Sequence, residues 1–138
     1  MKKLFLLSLV TLLFTACSSN SYKVNGKIYG IADDATIMLF HIEDGELAIM
    51  DSTKVSGESF SFSGKTDTCQ VAMLSFSVDG IQSNSCTFFL EPGNIKIEYA
   101  NGMQNVSGTL VNEQFQIFYD KIYDKYKRHY TDCVFNNM

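Results

Sequence analysis

From Tyr22 to Ser107 apolar and polar residues alternate with a period of two, and glycine-bearing turns interrupt the alternation at short intervals. Ser59-Phe60-Ser61-Phe62-Ser63 is the plainest stretch. A two-residue period puts both phenylalanines on one face of a strand and the serines on the other. A run of such strands must bury its apolar faces against one another, which leaves few architectures open.

The other strands follow the same logic. Tyr22, Val24, Gly26 and Ile28 share one face of a half-buried strand, and Asp33-Asp34 turns the chain. Thr36 to Ile42 (TIMLFHI) is apolar on both sides and reads as an inner strand. Glu43-Asp44-Gly45-Glu46 has hairpin chemistry, so Leu47 to Thr53 returns as its partner. Gly57 marks a second turn. Gln70 to Val78 then places Ala72, Leu74, Phe76 and Val78 on one side, and Asp79-Gly80 turns it. Cys86 to Leu90 runs into Glu91-Pro92-Gly93-Asn94, where Pro92 fixes φ and Gly93 accepts a positive φ. Ile95, Ile97 and Tyr99 leave that turn in register, and a short strand follows at Asn105 to Ser107. The expected fold is mainly β, an antiparallel sandwich or barrel of seven to eight strands over residues 22–108.

The period then changes. Phe115, Phe118, Ile122 and Tyr126 recur at three- and four-residue steps, which predicts a helix over 109–130 with Thr109 or Asn112 as its cap. Lys125, Lys127, Arg128 and His129 gather toward its end, where cations oppose the helix dipole, and Asp124 to Arg128 is a favourable four-residue pair. Residues 131–138 have no clear period and read as a tail.

Met1 to Cys17 has a different character. Lys2 and Lys3 precede an uncharged run from Leu4 to Leu13, and small residues lead into Cys17. Charge, short apolar core and small-residue cleavage site are the order of a secretory signal peptide, and the run is too short to span a bilayer. Phe14-Thr15-Ala16-Cys17 resembles a bacterial lipoprotein box, although Phe14 stands where Leu or Val is usual. That resemblance implies cleavage after residue 16, acylation of Cys17, and a polar tether over 17–21. With Ser18 and no acidic cluster after the cysteine, it implies an outer-membrane lipoprotein facing the periplasm.

About 120 residues remain after the leader, enough for a single core. Eleven basic residues, two of them in the leader, face fifteen acidic ones, so no basic patch suits a nucleic acid. Of four cysteines, Cys17 goes to lipid, leaving Cys69, Cys86 and Cys133. An odd remainder allows at most one internal disulfide, and no Cys-x-x-Cys is present.

Three stretches together resemble the domain of unknown function 4369 family: Val24-Asn25-Gly26-Lys27-Ile28; Met50-Asp51-Ser52-Thr53 followed by Phe60-Ser61-Phe62-Ser63-Gly64; and Phe88 to Ile97 (FFLEPGNIKI). In that family a β-domain precedes a thioredoxin-like domain in many lipid-anchored thiol-disulfide oxidoreductases of Gram-negative bacteria. The resemblance implies the same β-domain here, with the helix as its connector. The redox chemistry of such proteins belongs to a Trp-Cys-x-x-Cys site, and this chain has neither Trp nor that motif. No catalytic residue is carried over. The expectation is therefore a non-catalytic, anchored binding or spacer module with an unnamed protein partner. The alternative is a fragment of an oxidoreductase whose catalytic domain is missing.

Residues with reactive side chains read the same way. His41 lies in the most apolar strand and reads as a sheet residue; His129 is its only companion, and neither metal nor cofactor is expected. Asp51-Ser52-Thr53 lacks a histidine base, so strand polarity explains it. Cys69 and Cys86 flank the Gln70 to Val78 strand, and a bridge between them would close a loop worth roughly 3 kcal/mol. A simple hairpin turning near residues 79–83 instead puts Cys86 opposite Ser75 to Ser77, away from Cys69.

Overall fold

The computed structural model describes residues 19–78, 80 and 82–135. The leader, Cys17, Ser18, Asp79, Ile81 and the last three residues of the expected tail lie outside the described residues. Eight strands precede one helix: β1 (Ser21–Ile28), β2 (Thr36–Glu43), β3 (Glu46–Lys54), β4 (Ser59–Lys65), β5 (Gln70–Val78), β6 (Gln82–Leu90), β7 (Gly93–Ala100), β8 (Met103–Ser107) and α1 (Leu110–Phe135). They form two four-stranded sheets, ordered β4-β1-β7-β8 and β3-β2-β5-β6. The sheets stay open at their edges, so the architecture is a sandwich and not a barrel.

The period-two faces meet between the sheets. Val24, Ile28, Phe60, Phe62, Ile95, Ile97 and Val106 from one sheet pack with Ile37, Leu39, Leu74, Phe76, Phe88 and Leu90 from the other, all buried. Burying such side chains contributes about 1.5–3 kcal/mol each. Two glycines in the first sheet are covered by rings from the neighbouring strand. Gly26 pairs with Phe60 and Gly64 with Tyr22, and in each case the aromatic ring occupies the space a Cβ would take.

Turn chemistry follows the sequence closely at Asp44-Gly45, with φ of 52° and 83°, the geometry of a two-residue hairpin that matches strand twist. β2 is an inner strand, as its two-sided apolar sequence predicts. β3 carries an irregularity opposite Leu39 and Phe40, which pair with Asp51 and Ile49, so Met50 is the extra residue and tucks against the core.

The expected all-antiparallel pairing is corrected at one place. β1 pairs with β4 antiparallel but with β7 parallel, Val24 standing opposite Ile95 and Ile28 opposite Tyr99. The reason lies in the Glu91-Pro92 corner, which does not return β7 beside β6. It passes the chain to the other sheet, where the slot beside β1 is open.

The helix also differs from expectation. It runs to Phe135 and not to Tyr130, so the cationic residues 125–129 precede its last turn. Arg128 Nε donates to the Asp124 backbone carbonyl at 3.3 Å. Of the stripe expected from periodicity, only Phe115 meets the sandwich, its ring 5.3 Å from that of Phe89. Phe118, Ile122 and Tyr126 are more than half exposed. The buried helix face instead carries Asn112 and Gln116.

Candidate functional site

Those two amides meet a polar demand. β6 and β8 are the edge strands on one side of the sandwich, and an edge strand presents backbone N–H and C=O groups that need partners. Asn112 Oδ1 accepts from Phe89 N–H at 2.8 Å, while its Nδ2 donates to the Phe89 carbonyl at 2.7 Å. Gln104 of β8 does the same for Thr87, at 3.0 and 2.7 Å. Gln116 takes the Val106 N–H at 2.8 Å and donates to the Gln104 carbonyl at 3.0 Å. Three carboxamides thus stand in for a missing neighbour strand along both edges. Thr109 occupies the cap position of the helix, and its hydroxyl accepts from Asn112 Nδ2, which locks that amide in place.

Above this seam, between α1 and the first sheet, lies a cleft of about 630 Å³. It sits at the end of the sandwich where the β7–β8 turn brings Asn101 and Gly102 round at positive φ. Tyr29, Glu98, Asp120, Tyr123, Asp124 and Lys127 line it. The helical contributors lie three and four residues apart, hence on one face. Asp120 accepts from Gln116 Nε2 at 2.8 Å, which ties the cleft to the amide seam. The Lys27 ammonium already lies 4.7 Å from the centroid of the Tyr29 ring. Carboxylates and phenol rings are groups for recognition. Among the described residues the cleft brings no nucleophile against a base.

Residues 22–115 match the family described as domain of unknown function, DUF4369. The chain belongs to this family. No curated protein matches it. The DUF4369 match covers every strand except the first residue of β1, and stops within the helix at Phe115, so it includes Asn112 and Phe115, the residues that dock α1 on Phe89 of β6.

The sequence-derived candidates fall elsewhere on the DUF4369 fold. Cys17 lies outside the described residues. Cys69 and Cys86 are free cysteines, one exposed and one buried, and the considered bridge between them is not formed. Cys86 stands opposite Leu74, whereas Cys69 precedes Gln70, whose partner is Leu90. Roughly 15 Å of strand separates them, far beyond the ~7 Å that a disulfide spans between Cα atoms. Burial pushes the Cys86 thiol up to about 12. Burial first, and the Glu91 carboxylate second, also raise the Cys69 thiol above its ordinary value, although the side chain is exposed. His41 sits 3.9 Å from Glu43 as a sheet residue, and no group of metal-ligating side chains occurs among the described residues. Asp51 Oδ1 accepts the Ser52 N–H at 2.7 Å, so that carboxylate is engaged with its own backbone within β3. Sequence reasoning missed the amide seam. The only signal was a set of Gln and Asn residues that resemble ordinary surface polarity.

Proposed function

We propose that the protein is a non-catalytic, lipid-anchored module facing the periplasm from the outer membrane, and that it binds or spaces a partner away from the bilayer. The observation that carries this reading is where β1 begins and which way helix α1 runs. Ser21 opens β1 at the pole formed by Lys65, Gln70, Leu90 and Gly93. Helix α1 starts at that same pole, where Thr109 touches Gly93, and climbs past Gln104 to the β7–β8 turn at the other. Its 26 residues span roughly 39 Å. A load attached beyond the helix is thereby held a full domain height from the anchor.

Palmitate labelling of the wild type and of Cys17→Ala tests the anchor. Labelling and membrane retention are expected for the first and lost in the second; retained labelling of the variant contradicts the assignment. Insulin reduction by the purified chain is expected to be absent, and sustained turnover defeats the non-catalytic reading. The helix leaving the far pole also favours the second reading, the amino-terminal part of a thioredoxin-like thiol-disulfide oxidoreductase. A reading frame past codon 138 that encodes Trp-Cys-x-x-Cys supports that alternative.

A further inference from the structure

We infer that the tether pole is itself a membrane-contact face, its apolar rim resting among zwitterionic lipid headgroups. This deepens the anchored reading and depends on acylation at Cys17. The tether leaves little slack. The Asn20 carbonyl accepts from Thr66 N–H at 2.8 Å, and the Asn20 amide donates to Asp67. Three residues of chain, at most about 11 Å when fully extended, therefore separate an acylated Cys17 from a residue fixed on the domain. A domain held so close has one pole against the bilayer.

That pole carries the right chemistry. Leu110 is 70% exposed, Leu47 57%, Ile42 52% and Val71 38%, and Pro92 is exposed beside them. The register aligns the strand residues in one band, since Ile42 pairs with Leu47, His41 with Ala72, and Val71 with Phe89, whose ring meets Phe115 of α1. Leu110 opens α1 at the same pole. Side chains of this kind insert shallowly at the headgroup boundary. Charge chooses the lipid. Glu43, Asp44, Glu46, Asp67 and Glu91 outnumber Lys23 and Lys65 at this end, so a strongly anionic surface repels it.

The chain has no tryptophan, so single substitutions report cleanly on depth. The acylated protein is reconstituted into phosphatidylethanolamine–phosphatidylcholine vesicles carrying lipids brominated near the top of the acyl chain. Leu110→Trp and Leu47→Trp are expected to lose emission and shift to the blue. Met103→Trp, at the opposite pole, is expected to do neither. Replacing part of the lipid by phosphatidylglycerol reduces the quenching at both rim positions. Far-ultraviolet circular dichroism checks that each variant is folded, and the two rim positions stand in for each other if one fails. A vesicle-bound protein with both rim tryptophans unquenched, or with Met103→Trp quenched equally, overturns the contact face and leaves the anchor standing. Quenching that persists or rises with phosphatidylglycerol overturns the lipid preference. A protein that does not stay on the vesicles overturns the anchored reading itself.

Discussion

Asn112 shows how much one side chain can matter when its partners are backbone groups. It is fully buried, and both ends of its amide serve Phe89. Asn112→Ala leaves a donor and an acceptor enclosed without partners, a loss of about 2–4 kcal/mol. Urea unfolding checks this, with Asn105→Ala, at an exposed position, as a control expected to change little. Cys86 gives a pH-dependent counterpart. Its folded-state thiol titrates at about 12 against an ordinary value of 9.0. The proton is held more tightly in the folded state, so this contribution is complete below the unfolded value and is lost as pH rises toward the folded one. The midpoint of thermal unfolding of the wild type is therefore expected to fall more steeply than that of Cys86→Ala between about pH 9 and about pH 12. Native Cys69 is expected to react with a thiol reagent while Cys86 does not.

At the level of elements, the strands were legible in the sequence and the helix face was not, for one physical reason. Phe60, Phe62, Leu74 and Ile97 advertise their burial because a core needs apolar side chains at alternate positions. Helix α1 covers two strand edges, and edges need hydrogen bonds. Asn112 and Gln116 won the inner face, and the apolar periodicity of Phe118, Ile122 and Tyr126 turned outward. The parallel β1–β7 pair was equally silent, since residues so far apart in sequence leave no local signal at Val24 or Ile95. A chain ending at Gly108 tests the role of the helix. Without Asn112 and Gln116, the outward groups of Phe89 and Val106 lose their partners, and edge-to-edge association is expected. Size-exclusion chromatography reads it directly; a monomer with unchanged stability shows that these edges need no cover.

For the molecule as a whole, the two poles differ in chemistry. At one, Asn20 is strapped to Thr66 beside the apolar rim, and at the other lie the cleft and the far part of the helix. Long-range contacts dominate, as expected of a sandwich, and such topologies fold in roughly milliseconds to seconds. Refolding from urea, followed by tyrosine fluorescence, is expected in that range. A microsecond phase that carries the whole amplitude contradicts it.

The seat of β1 between β4 and β7 also fixes an order of assembly. The first strand to emerge from a ribosome or a translocation channel is an interior one, and its second flank waits for Gly93 to Ala100. Until then Val24 and Ile28 have half a house. The nascent chain thus travels with its most buried residues unsheltered, and completion comes only when nearly the last strand arrives.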